Sequence, residues 1–160
     1  MSKSLFLIRH AQAERLPLYD DFNRPLSATG FLEVSRMSER LYNYQVKPEY
    51  FISSPALRTL ATAKIFAENI GLPFDRIQPE NMIYEASVNT LLKVVNHLDD
   101  KYSSVALFGH NPGITDLFNY LADDFIAALP TCSIVRLGFE FESWESLTAD
   151  SGQTVWKAIP

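Results

Sequence analysis

The chain has 160 residues, with 14 Lys and Arg against 19 Asp and Glu, a formal net charge of -5 and 47% apolar residues. Such a length and composition suit one globular domain with enough apolar material for a core, and the acidic balance excludes a surface built to bind nucleic-acid phosphates. No apolar run approaches a membrane span, and Leu5 to Ile8 is too short for the apolar region of a signal peptide; a single cysteine, Cys132, forms neither an internal disulfide nor a cysteine-built zinc site. The expectation is one cytosolic domain, residues 1–160, with neither a membrane nor a nucleic acid as partner.

In chain order, Lys3 to Arg9 is a compact apolar run of strand type. From Phe31 to Leu41, Phe31, Val34, Met37 and Leu41 fall at helical spacing, with Thr29 available as the cap. Tyr50 to Ser54 is a short strand, and Pro55 suits the first turn of a helix carrying Leu57, Ala61 and Ile65, which Gly71 and Pro73 stop. Ser87 caps a further helix that presents Leu91, Leu92, Val95 and Leu98 on one face. Ser104 to Gly109 is a second continuous apolar run, and Pro112 opens a helix with Ile114, Leu117, Phe118 and Leu121 on one stripe. The last part changes character: Val135, Leu137, Phe139 and Phe141 alternate with Arg136, Gly138 and Glu140, as in a half-buried strand, and Asp150-Ser151-Gly152 turns into a final strand, Thr154 to Ile159. Alternating strands and helices with buried early strands predict an α/β fold, a mostly parallel central sheet with helices on both faces. One or two C-terminal strands are placed antiparallel.

In open α/β sheets ligands bind beyond the carboxyl ends of the strands. That rule selects Arg9-His10, the segment Ser53 to Arg58, and Gly109-His110-Asn111-Pro112-Gly113. Gathered on one rim, they make a pocket of two imidazoles and two guanidiniums, flanked by helix N-termini. Such a pocket suits a dianionic phosphoryl group, because guanidinium forks match its oxygens and stay charged. One imidazole, when neutral, can attack phosphorus; the other can stabilise the equatorial oxygens. Glu85, in a loop before a helix, can overhang the pocket as the leaving group's acid if its pKa is raised. Taken singly, Arg58 reads as a solvated helix residue, Glu85 as an acid facing a helix N-terminus and Arg24 as a loop charge; only their company argues otherwise. His97 reads as surface, Glu140 and Glu142 as the wet face of a strand, and Cys132 as buried filler.

The motifs resemble those of a known family. Phe6-Leu7-Ile8-Arg9-His10-Ala11, Ser53-Ser54-Pro55 with Arg58-Thr59, and Gly109-His110-Asn111-Pro112 are similar, in order, to three motifs of the histidine phosphatase superfamily, of the phosphoglycerate mutase-like fold. Arg24-Pro25-Leu26-Ser27 with Thr29-Gly30 resembles the segment before its first helix. The short chain looks most like the bacterial SixA-type phosphohistidine phosphatases, which work in signalling. The resemblance implies that His10 accepts the phosphoryl group, that Arg9, Arg58 and His110 hold it, and that Arg24 adds a contact. It also implies that Glu85 falls where many members carry the proton donor. Two of the motifs depart from the family pattern. Ala11 replaces the usual glycine, which requires a backbone free of positive φ, and Asn111 with Pro112 replaces smaller residues, making Asn111 a candidate substrate ligand.

The resulting expectation is a phosphatase that needs no metal or cofactor, forms a phosphohistidine on His10, and acts on protein phosphohistidine. The alternatives are a small phosphorylated metabolite as substrate, or a phosphohistidine- or phosphate-binding module without turnover. A phosphoglycerate-mutase-like transferase needs closing insertions for which the chain is short. A metallohydrolase lacks His-x-x-x-His or His-Glu-x-x-His spacing, and nucleotide-binding glycine loops are missing. Nothing in their spacing positions the rim residues Tyr19, Asp20, Asp21 and Phe22.

Overall fold

A computed structural model describes residues 1–160. In chain order it contains β1 (Lys3–Arg9), α1 (Ala28–Asn43), β2 (Tyr50–Ser53), α2 (Leu57–Ile70), β3 (Ile77–Pro79), α3 (Val88–Asn96), β4 (Ser104–Gly109), α4 (Gly113–Leu121), β5 (Ile134–Phe139) and β6 (Gln153–Ala158), with short 3-10 turns between some of them. The strands form one sheet in the order β3-β2-β4-β1-β5-β6. The first four in that order are mutually parallel; β5 pairs antiparallel with β1, and β6 pairs antiparallel with β5. The mostly parallel sheet read from the sequence is thus present, with one C-terminal strand, β5, reversed and β6 running again in the direction of the first four.

Side-chain alternation divides the interior into two cores. Leu5 and Leu7 of β1 and Val105 and Leu107 of β4 enter one core, together with Leu91 and Val95 of α3 and the apolar stripe of α4. Phe6, Ile8, Ala106 and Phe108 point the other way, into Val34, Met37 and Leu41 of α1 and Ala63, Phe66 and Ala67 of α2. A strand covered on both faces needs no polar side, which is why β1 and β4 read as unbroken apolar runs. No helix is long and apolar enough to cross a membrane.

Several local expectations are corrected. Ser27, not Thr29, caps α1, its Oγ accepting from the Gly30 backbone N–H at 3.0 Å, and Phe31 of the expected apolar stripe is exposed because Gly30, packed against Gln12, takes the inward position of the first turn. The buried face of α2 carries Thr59, Thr62, Ala63, Phe66 and Ala67, while Leu57 is exposed and Pro55 lies before the helix. Small residues face inward there because α1 and the end of β1 lie close against that face. β5 is nearly wholly buried rather than half-buried, since it lies between β1 and β6, and Phe141 falls beyond its end. Its one polar interior position, Arg136, is satisfied by the Ser4 and Tyr44 hydroxyls. β3, three residues long, was too short to show a pattern.

The connections explain where a site can form. From β1 the chain leaves toward the α1/α2 face; from its neighbour β4 it leaves toward the α3/α4 face. The two loops diverge and open a crevice at the carboxyl ends of the paired strands. Arg9 pairs in register with Gly109. His10 and His110, each the next residue, therefore stand side by side across the crevice.

Candidate active site

His10 is 7% exposed, and its Nδ1 lies 2.7 Å from the carbonyl oxygen of Ala11. A carbonyl only accepts, so Nδ1 carries the proton and Nε2 keeps a free lone pair. Burial is the main cause pulling the His10 pKa down, to about 3, with the neighbouring His110, Arg58 and Arg9 adding to it and the Ala11 carbonyl opposing. The ring is neutral at any physiological pH. Ala11 has no positive φ, so it meets the condition its replacement of glycine imposes. Its buried N–H donates to Thr62 Oγ1 at 3.1 Å, and that hydroxyl donates to the Arg58 carbonyl at 2.7 Å. One threonine thus ties the loop behind His10 to the helix that carries Arg58.

The His110 ring centroid lies 5.2 Å from that of His10. Arg58 Nη2 is 3.3 Å from His110 Nδ1, and a guanidinium only donates, so Nδ1 is the acceptor. The proton of the neutral ring is on Nε2, which donates to Ser54 Oγ at 2.7 Å, with Thr59 Oγ1 at 3.3 Å. Burial first, then Arg58, lower the His110 pKa to about 4. Arg58 itself is 5% exposed, and its Nε points at His10 Nε2 from 3.4 Å.

These groups line a cavity of about 300 Å³ that Arg9, Arg15, Arg24, Glu85 and Asn111 also border. Every residue singled out from the sequence as part of the site is brought to it. Arg9 donates from Nη1 to the Leu129 carbonyl at 2.9 Å, while its buried Nε has no partner. Asn111 donates to the same carbonyl at 2.9 Å and accepts from Thr115 Oγ1 at 2.7 Å, which leaves one amide hydrogen for a ligand. Arg24 Nε lies 3.2 Å from Asp21 Oδ1. Glu85 sits exposed at the rim with φ 54°, a left-handed conformation unusual for a residue with a Cβ. Gly113, at the start of α4, makes room for that loop: a Cβ there would lie 2.5 Å from the Ala86 carbonyl oxygen. His97 is at the surface as expected, on a separate groove of about 540 Å³ that contains no arginine. Cys132 is fully buried, and burial raises its thiol pKa. Its backbone N–H, near both the Arg9 and His10 carbonyls at 3.0 and 3.1 Å, braces the strand end.

Sequence reasoning missed three contributors. Glu33 of α1 accepts from the Gln12 backbone N–H and from Thr131 Oγ1, both at 2.8 Å, and its charge holds up the Arg9 pKa that burial lowers. Asp21 accepts from Arg58 twice, through its carbonyl at 2.6 Å and Oδ2 at 3.2 Å. Tyr84 donates to that same Oδ2 at 2.6 Å. The one available signal was the position of Asp21 three residues before Arg24, in the loop that follows His10.

A family model describing the histidine phosphatase superfamily (branch 1) matches residues 5–85. The chain belongs to the histidine phosphatase superfamily. The match runs from β1 through His10, Arg58 and Glu85; the two-histidine, multi-arginine pocket agrees with it, and the chain is a phosphatase. An uncharacterized chloroplastic protein of Arabidopsis thaliana is 29% identical over 170 residues, spanning 98% of this chain and 76% of its own. The structure of the protein histidine phosphatase SixA complexed with tungstate superposes with a TM-score of 0.83 at 22% identity, covering 98% of this chain and 97% of SixA. A mycobacterial glucosyl-3-phosphoglycerate phosphatase in complex with VO3 gives 0.72 at 17% identity, covering 96% and 98%. At these identities the structural likeness is one of fold, here the phosphoglycerate mutase-like fold.

Proposed function

We propose that this phosphatase works without a metal, through a phosphohistidine on His10, and that its substrate is a phosphohistidine borne on a protein. The observation that carries the reading is the locked tautomer of His10: Nδ1–H donates to Ala11, so the lone pair of Nε2 faces the cationic pocket. Nε2 attacks phosphorus, and the bond from phosphorus to the leaving nitrogen or oxygen breaks. Arg9, Arg58 and Arg24 take up the charge on the equatorial oxygens. His110 adds a further contact, and Asn111, tethered to the carbonyl that also holds Arg9, has an amide hydrogen to spare. Glu85, on the rim, supplies a proton to a leaving oxygen. Water then cleaves the phosphorus–nitrogen bond on His10, releasing phosphate and restoring neutral imidazole.

Protein phosphohistidine is favoured by the likeness to the protein histidine phosphatase SixA along nearly the whole of both chains. The test is phosphate release from a phosphohistidine-bearing protein in EDTA, with wild type beside His10→Ala. Release by the wild type alone is expected. Equal release by both refutes the nucleophile, and release only from small phosphomonoesters moves the substrate to a metabolite.

A further inference from the structure

Arg58, the most deeply buried of the pocket arginines, already has its donors engaged. Nε faces His10, Nη1 donates to the Asp21 carbonyl, and Nη2 is divided between Asp21 Oδ2 and His110. Asp21 belongs to a 3-10 turn in the loop after His10, and its carboxylate also faces Arg24. It is held from the far side as well. Tyr84, in the loop that ends at Glu85, donates to Oδ2, and its ring meets Phe22 edge-on with centroids 5.2 Å apart. Two loops from opposite sides of the crevice thus meet over Arg58 around one carboxylate. A phosphoryl group needs those same guanidinium hydrogens.

We propose that Asp21, steadied by Tyr84, is a displaceable internal anion: it occupies the Arg58 fork while the site is empty, yields it to the phosphoryl group, and on returning expels the phosphate product. The inference rests on the phosphoryl-site reading above. A pocket with this many arginines binds inorganic phosphate tightly unless something competes for them. A tethered carboxylate competes at a fixed local concentration and leaves with no diffusional step. The Tyr84 hydrogen bond and the Arg58 and Arg24 charges together hold the Asp21 carboxyl below its ordinary pKa, so it stays an anion throughout the working range. Asp21 therefore limits ground-state and product affinity without touching the reacting bond.

The probe is orthophosphate, titrated calorimetrically into the full chain as wild type, Asp21→Asn and Tyr84→Phe. Asp21→Asn should bind phosphate about tenfold more tightly, the factor expected if the latched form holds nine-tenths of the molecules. Tyr84→Phe keeps the charge but loosens its hold, and should tighten binding about threefold on the same population argument. A carboxylate that merely repels phosphate from the rim predicts the opposite for Tyr84→Phe, because the charge stays and loses its hydrogen bond. Unchanged or weaker binding in Tyr84→Phe, or unchanged binding in Asp21→Asn, overturns the latch while leaving the phosphoryl site intact. Phosphate binding by neither wild type nor Asp21→Asn overturns the phosphoryl-site reading and the latch with it.

Discussion

Burying His10 in its neutral form has a consequence for acid stability that can be worked out from the structure. Its native pKa of about 3 lies well below the 6.5 of a free imidazole. Below that free value the unfolded chain takes up a proton that the native site refuses, so stability present at neutral pH is lost as the pH falls from 6.5 toward 3. At pH 5 the gap from 6.5 is roughly 1.5 pH units, worth about 2 kcal/mol at 1.36 kcal/mol per unit. Urea unfolding at about pH 7.5 and pH 5, in buffer free of phosphate, measures the loss. His10→Asn serves as the control: its side-chain amide can still donate to the Ala11 carbonyl but cannot titrate. The variant should lose about 2 kcal/mol less than the wild type between the two pH values, or roughly 4–8 °C less in Tm for a chain of this size. His110 contributes to both proteins and cancels. The carboxyls held below their ordinary range, Asp21, Asp100 and Asp124, titrate at still lower pH. An equal loss in both proteins would refute the buried neutral His10 and, with it, the argument for a ready nucleophile.

Three other changes probe the scaffold and the chemistry. Gly30→Ala drives a Cβ into the Gln12 carbonyl oxygen and should cost about 3 kcal/mol by forcing the loop after His10 outward; chemical denaturation together with activity checks it. Thr62→Val keeps the shape but leaves the buried Ala11 N–H without its acceptor, so stability should fall by about 1–3 kcal/mol and kcat should fall with it. Glu85→Gln should slow hydrolysis of a phosphomonoester more than that of phosphohistidine, whose imidazole leaves readily; equal slowing removes Glu85 as the leaving-group acid.

The parts of the fold legible in the sequence were those written locally. β1 and β4 are covered on both faces, so their runs are continuous and their ends place His10 and His110 at the crevice. The stripe of α4 and, apart from the exposed Phe31, that of α1 follow a helical period because each packs against the sheet on one side. α2 misled because its inward face carries, beside Phe66, small residues and the polar Arg58, Thr59 and Thr62 that serve the site, so Leu57, Ala61 and Ile65 do not mark the core. Asp21 was illegible for a different reason. Its partners Arg58 and Tyr84 lie 37 and 63 positions away, and no local pattern records a carboxylate that is held only where three segments converge. Glu33 escaped likewise, since the Gln12 and Thr131 donors that face it lie 21 and 98 positions away.

The two histidines differ in what they can do for a bound dianion, and the difference lies in their second nitrogens. His10 gives its proton to a backbone carbonyl that cannot return one, which leaves the Nε2 lone pair, met only by the Arg58 Nε–H at 3.4 Å, for attack. His110 gives its proton to Ser54, and its other nitrogen accepts from Arg58. When a phosphoryl oxygen draws Arg58 away, His110 Nδ1 faces an anion with a lone pair, which is repulsive. It becomes a donor only by taking up a proton, since Nε2–H remains committed to Ser54. Burial and Arg58 hold the empty-site pKa at about 4, and a dianion in contact pushes it upward. Binding should therefore carry a proton into the site at neutral pH. Tungstate, a dianion that does not itself titrate at about pH 7, allows the measurement: its binding enthalpy, taken in buffers of different ionisation enthalpy, should report uptake approaching one proton. His110→Asn should abolish the buffer dependence while retaining weakened binding. Enthalpies that do not vary with buffer in the wild type would mean that His110 meets the phosphoryl group as a neutral ring, and that the arginines alone carry the charge.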